Sequence, residues 1–185
     1  EINPKAEIIP CKTFDECFNT AEKEHDIKII IPESNRITGN IGIEYLIFQH
    51  RLNIYSEHFH KIEHNLLGIP GSKLKGIKDV FSHAQALSQC SNFIKKNNIS
   101  ENVRADTAGS AELISKNKDM SKAAIASKLS AEIYNLDVIK ENIENEKGNV
   151  TRFLIMGKSL SQPELEQEKY ITSFLFKLKS KPAAL

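Results

Sequence analysis

The chain has 185 residues, 40% of them apolar and 26% charged, a globular balance that suits one ordinary domain with a small appendage. Its 25 basic and 24 acidic side chains leave a formal net charge of +1, so electrostatics gives no reason to expect nucleic acid or a membrane surface as partner, and a small molecule is expected instead. No apolar run approaches the ~20 residues of a bilayer-spanning helix, and the opening EINPKAEIIPC lacks the apolar segment of a secretory signal, so a cytoplasmic location is expected. In chain order, Thr13 and Glu16 form a capping box ahead of Phe14, Cys17, Phe18 and Ala21, which share one face of a helix. DIKIIIP follows as a short buried strand, and a polar turn, ESNRITGN, opens a second helix through Tyr45, Leu46 and Phe48. KIEHNLLGIP reads as a strand, then a Gly- and Lys-rich loop to Gly76, then IKDVFSH as a strand and AQALSQCSNFIKK as one helix with Ala86, Cys90, Phe93 and Ile94 aligned.

The alternation continues with a capped helix DTAGSAELISKN, a strand KAAIAS, a helix KLSAEIYNL, a strand DVIKENI and a buried strand NVTRFLIMG. Strands alternating with helices imply an α/β fold with mainly parallel sheets. SLSQPELEQEKY is polar, carries Pro163 and reads as a linker, after which ITSFLFKLKSKPAAL alternates as a strand with one solvated face. Cys11, Cys17 and Cys90 are widely spaced and fit neither a zinc motif nor a disulfide framework, so free thiols are expected.

Ligands of such folds sit beyond the carboxyl ends of strands and against helix N-termini, which directs attention to four loops. They are PESNRITGN, SHAQAL, DTAGSA and NVTRF, each rich in hydroxyl, amide or imidazole groups that suit a carboxylate-bearing ligand. Helix capping alone would explain Ser82, Asp106 and Thr107. In the last loop, Thr151 and Arg152 stand at the mouth of a strand; β-propensity and a snorkelling guanidinium would explain them without any ligand.

Taken in this order, Asn35, SHAQALSQC, DTAGSA and NVTRF resemble the motifs of the prephenate dehydratase family over about residues 7 to 157. That resemblance implies a two-lobed catalytic domain of periplasmic-binding-protein type with a central cleft, spanning about residues 1–157. One lobe would hold about 1–60 and 148–157, the other about 61–147, with a linker at 158–168. Residues 169–185 resemble the first strand of a truncated α+β ACT domain, through KSKPAAL. The family's opening strand and Gly-rich loop would precede Glu1, so both ends read as interruptions of a longer chain. Three positions depart from the family pattern. Glu and Ser are transposed in PESNR, so that Arg36 takes the place of the usual hydroxyl residue; Ala84 replaces a Pro, and Ala183 a Gly.

The implied reaction turns prephenate into phenylpyruvate in phenylalanine biosynthesis by losing carbon dioxide and the ring hydroxyl together, driven by aromatisation. Hydrogen-bond donors that fix the ring, hold two carboxylates and help the hydroxyl leave suffice, so neither a metal nor an organic cofactor is implied. By resemblance Thr151 lies closest to that leaving group, and Asn35 and Gln85 orient substrate, with Arg152, Ser82, His83 and Thr107 as further substrate contacts. L-Phenylalanine as an effector and a homo-oligomer are implied for the full-length protein. Strand alternation aims Thr151 and Arg152 at opposite faces. Two other readings stand beside this one. His58, His60 and His64 in HFHKIEH share a face of a regular strand as metal ligands would, yet solvated histidines beside Lys61 and Glu63 are the simpler account. A two-lobed α/β chain also describes solute-binding proteins, which clamp a small molecule without turning it over.

Overall fold

The computed structural model describes residues 6–159. The expected linker from residue 160 onward and the ACT-like strand lie outside the described residues. Two compact units divide the chain: one runs to His60 and resumes at Thr151, the other is Lys61–Val150.

The first unit opens with α1 (Phe14–Lys23), capped by Thr13, whose hydroxyl accepts the Glu16 amide at 3.1 Å. Glu16 returns a bond to the amide of Lys12, at 2.7 Å, one residue earlier than in a strict capping box. Its strands are β1 (Lys28–Asn35), β2 (Gly39–Asn40), β3 (Asn53–Lys61) and β9 (Val150–Gly157), in the order β2-β1-β9-β3, with α2 (Glu44–Gln49) between β2 and β3. β1 is antiparallel to both β2 and β9. Ile29 and Ile31 of β1 and Leu154 and Met156 of β9 bury one face of this sheet against Phe18 and Ala21 of α1 and Leu46 of α2. His50, which caps the end of α2, turns its Nδ1 to Glu22 of α1 at 2.7 Å and packs its ring 5.3 Å from Phe18. That bond holds the Glu22 carboxyl below its ordinary value.

The second unit holds β4 (Asn65–Gly68), β5 (Asp79–His83), β6 (Ser100–Arg104), β7 (Lys122–Ala126) and β8 (Asp137–Lys140), in the order β6-β5-β7-β4-β8. Helices α3 (Ala84–Gln89), α4 (Ser91–Lys96), α5 (Thr107–Asn117) and α6 (Lys128–Tyr134) connect them. Both faces of the sheet are buried. Leu66, Ala123 and Ile125 point into a cluster with Leu87, Cys90 and Ile94, while Leu67, Ala124 and Ala126 point into one with Ala111, Ile114 and Ala131. Two-sided burial is why KAAIA reads as an unbroken apolar run.

The expectation of mainly parallel sheets is corrected: both sheets are mixed or antiparallel. β5 is parallel to β6 and β7, as helical crossovers require, but β4 is inserted antiparallel between β7 and β8. Helix-strand alternation reports the crossovers and is silent on a strand reached without one. Four local expectations also change. The polar stretch ESN continues β1 and closes a hairpin with β2 instead of forming a loop. β3 is an additional strand, and KIEHNLLGIP divides at residues 62–64 between β3 and β4. The helix expected over AQALSQCSNFIKK breaks at Cys90. Asn145 causes that break: its amide donates to Gln89 O at 2.6 Å and its side chain to Ser88 O at 3.2 Å, while its Oδ1 accepts the Asn92 amide that starts α4 at 3.0 Å.

Candidate active site

The end of β1 is where local chemistry departs from a plain strand. Pro32 pairs with Phe153 and Ser34 with Arg152, so β1 advances two residues while β9 advances one, and Glu33 is the extra residue of a β-bulge. Pro32 brings no N–H, and a bulge is among the few strand positions that accept it. Beyond the bulge Asn35 lies directly opposite Thr151.

These two side chains form a buried polar pair. Asn35 is 9% exposed and Thr151 7%. The Asn35 Nδ2 donates to Thr151 Oγ1 at 2.9 Å. Its Oδ1 accepts the backbone amides of Ile37 at 3.0 Å and Thr38 at 3.1 Å, and the Thr38 hydroxyl at 3.3 Å. Two amide donors on one oxygen fix which end of the carboxamide is which, so the NH2 must face Thr151. A threonine oxygen that accepts from an amide keeps its own proton for donation elsewhere. The pair is therefore a hydroxyl donor of set polarity.

Arg152, the neighbour of Thr151, stands on the other face of β9. Its Nε donates to Glu57 at 2.7 Å and its Nη1 to Glu33 at 3.2 Å, and Ser34 adds its hydroxyl to Glu33 at 2.6 Å. Burial works against the Arg152 charge, but Glu57 and Glu33 outweigh it and raise the guanidinium above its ordinary value. Arg152 thus belongs to an ion-pair triad with Glu33 and Glu57 on the face of β9 away from Thr151.

In the second unit, β5 and β6 are parallel with His83 opposite Arg104, so the loops that follow them leave the same end of the sheet. Ser82, His83, Gln85 and Thr107 gather there. Ser82 is fully buried and donates its hydroxyl to Ile125 O at 2.7 Å, which braces β5 to β7. His83, not Ser82, caps α3: its Nδ1 accepts the Gln85 amide at 3.3 Å. Gln85 is exposed in the first turn of that helix. Thr107 is half-buried as the first residue of α5, whose cap is Asp106 accepting the Gly109 amide at 2.5 Å. A side chain at 109 would place its Cβ 2.8 Å from the Asp106 carboxylate, which explains the glycine in DTAGSA.

Reading the sequence overlooked Gln89, although SHAQALSQC contains it. Its Oε1 accepts from His64 Nε2 at 2.7 Å and Asn149 Nδ2 at 3.2 Å, joining β4, α3 and the segment before β9. His64 is thereby drawn off the β3 strand, while His58 and His60 stack on it with ring centroids 6.2 Å apart. Among the described residues no group of three or more His, Cys, Asp or Glu side chains could hold a metal ion. No helix among them is long and apolar enough to cross a membrane.

The family model for prephenate dehydratase matches residues 1–161. The chain belongs to the prephenate dehydratase family. It is 38% identical over 183 residues to arogenate dehydratase/prephenate dehydratase 1, chloroplastic, of Arabidopsis thaliana, covering 98% of this chain and 46% of that protein. It is 39% identical over 159 residues to the prephenate dehydratase of Methanocaldococcus jannaschii, covering 84% of this chain and 57% of that one. Among solved structures, the prephenate dehydratase of Staphylococcus aureus subsp. aureus Mu50 superimposes with a TM-score of 0.72 at 26% identity, over 83% of this chain and 57% of that one. A structure described as GqqA, a novel type of quorum quenching acylase, does so with a TM-score of 0.75 at 30% identity, over 86% and 58%. A third, prephenate dehydratase in complex with L-Phe from Arthrobacter aurescens, has a TM-score of 0.75 at 25% identity, over 84% and 53%. The chain spans about half the length of the curated relatives it matches.

Proposed function

We propose that the protein containing this chain dehydrates and decarboxylates prephenate to phenylpyruvate in phenylalanine biosynthesis, with Thr151 as the donor to the departing hydroxyl. The observation that carries this reading is the Asn35 to Thr151 hydrogen bond, in which the threonine oxygen accepts and its own proton is kept for donation elsewhere. In the reaction the bond from the ring to its carboxylate breaks and carbon dioxide leaves. The electron pair enters the ring and expels hydroxide from the opposite carbon, and one proton converts that hydroxide to water. Thr151 donates to the hydroxyl oxygen as negative charge develops on it, and solvent restores the proton. A positioned donor of this kind contributes about 10²–10⁴-fold, and no metal or organic cofactor enters the balance.

Gln85, His83 and Thr107 carry over as substrate contacts by family resemblance, with Gln85 and His83 exposed and Thr107 half-buried. Curated relatives named for arogenate as well as prephenate make arogenate, which carries an amino group where prephenate has a keto group, the natural second substrate to assay. L-Phenylalanine as effector follows from the neighbour crystallised with it, and belongs, like a homo-oligomer and an ACT domain, to the full-length protein.

Incubating the full-length protein with prephenate and following phenylpyruvate absorbance tests the reading, with arogenate and phenylalanine release in parallel. Turnover of either substrate that falls in Thr151→Val supports it. Tight binding of prephenate without turnover of either substrate would replace it with the solute-binding alternative.

A further inference from the structure

The bulge at Glu33 does more than interrupt a ladder. Upstream of it, Ile29 and Ile31 face the core with Leu154 and Met156. Strict alternation would carry Asn35 onto that same core face and would set Ser34 across from Thr151. One extra residue reverses the parity, so that Asn35 and Thr151 share the opposite face. The polarity of the Thr151 hydroxyl therefore depends on the bulge staying where it is.

A bulge leaves its extra residue without ladder bonds; the Glu33 carbonyl accepts the Ile41 amide at 3.0 Å, and its side chain is held separately. Here β9 lies between β1 and β3, and Arg152 on β9 reaches both neighbours, Glu33 of the bulge at 3.2 Å and Glu57 of β3 at 2.7 Å. The three side chains are 29%, 19% and 23% exposed, so the tie is shielded from much of the screening that weakens surface pairs. Ser34 hydroxyl closes the bulge by donating to the same Glu33 oxygen at 2.6 Å. The guanidinium suits this because Nε and Nη1 are separate donors in a rigid plane, able to hold two carboxylates at once, which a lysine ammonium on a flexible stem does poorly. The transposed Glu33 and Ser34 thus have a physical use.

We propose that Arg152 is a positioning residue: tied to Glu33 and Glu57, it pins the bulge that sets Asn35 opposite Thr151, and acts on turnover through that pair without touching substrate. The inference rests on the dehydratase reading of the same site. In the full-length enzyme, Arg152→Lys and the gentler Glu57→Gln are expected to lower kcat, by about 10-fold for the lysine, with KM for prephenate within about two-fold of wild type. In an Asn35→Ala background Arg152→Lys is expected to change kcat by less than about two-fold, because what it positions is already gone. An Arg152→Lys enzyme whose KM rises ten-fold or more at unchanged kcat, as loss of a substrate-carboxylate grip would cause, overturns the proposal. So do effects of the two substitutions that simply multiply. The side-chain amide resonance of Asn35, selectively labelled with nitrogen-15, gives a readout free of turnover. It is expected to move in both Arg152→Lys and Glu57→Gln, and an unmoved resonance in both refutes the positioning role. If the wild type turns over neither prephenate nor arogenate, the dehydratase reading fails, while the resonance still decides whether Arg152 holds the pair.

Discussion

Replacing Asn35 by Asp reverses the direction of one hydrogen bond at almost constant shape. In the native pair the carboxamide NH2 donates to Thr151, while its oxygen is held by the amides of Ile37 and Thr38. A carboxylate keeps the second set of bonds, since an ionised oxygen accepts amide protons at least as well. Its other oxygen has no proton to offer, so Thr151 must donate to it, and the proton needed by the leaving group is turned inward. Releasing that proton costs the strength of a hydrogen bond to a charged acceptor, about 1.5–3 kcal/mol, or roughly 10- to 150-fold in rate. Asn35→Ala provides the comparison. It leaves the Thr151 hydroxyl unaligned but able to donate, so its loss of kcat is expected to be smaller than that of Asn35→Asp. The assay is phenylpyruvate formation by the full-length enzyme at saturating prephenate, which sets aside the weaker binding that a new negative charge causes for a dianion. Circular dichroism and the thermal midpoint check the fold. A folded Asn35→Asp enzyme with kcat equal to or above that of Asn35→Ala would refute the assigned polarity.

Three further outcomes are expected. Cys90 is fully buried, and burial pushes its thiol up to about 12 with a smaller contribution from Glu144, so at about pH 8 an alkylating reagent should label it only as the protein unfolds; rapid labelling of native protein, read by mass spectrometry, would contradict that packing. Asn145→Ala should destabilise the second unit by about 1–2 kcal/mol in a urea titration, because one side chain caps both sides of the break between α3 and α4; an unchanged midpoint would mean that other groups cap it. The Asp119 carboxyl is held down to about 2, chiefly by the Ser121 hydroxyl and then by the Ser121 amide and Lys122. A depressed carboxylate stabilises the fold above its ordinary value of 3.8 and loses that contribution as pH falls toward about 2, so the Tm difference between wild type and Asp119→Asn should shrink across that interval.

What could be read from the sequence was what local chemistry writes into it. Thr13 and Asp106 are caps whose partners lie three residues away, and both helices begin where those residues place them. The buried run KAAIA is a strand because both its faces are covered, and NVTRF opens a strand in which the Thr151 hydroxyl interrupts an apolar run. The bulge was not legible, since one extra residue changes no composition and appears only when Pro32 and Ser34 are matched to their partners. Nor was the work of Arg152, whose carboxylates lie 95 and 119 residues away in the chain. Ser82 looked like a cap and proved to be a brace because its acceptor, Ile125 O, belongs to a strand 43 residues on. The start of β3 at Asn53 was not legible because the strand exposes Ile54 and Phe59 and lacks the clean alternation of a half-buried strand. The direction of β4 depends on strand order, which no periodicity encodes.

The claim at the centre of this account is that the Thr151 hydroxyl assists the departing group, and kcat of the full-length enzyme with Thr151→Val and Thr151→Ser tests it most directly. Valine keeps the shape and strand preference of threonine but has no proton to donate, and it removes the acceptor of the Asn35 amide. Its kcat is expected to fall by about 10²-fold or more, roughly 2.7 kcal/mol, with KM changed little, while serine retains activity within about ten-fold. Wild-type kcat in a well-folded Thr151→Val enzyme would contradict the account.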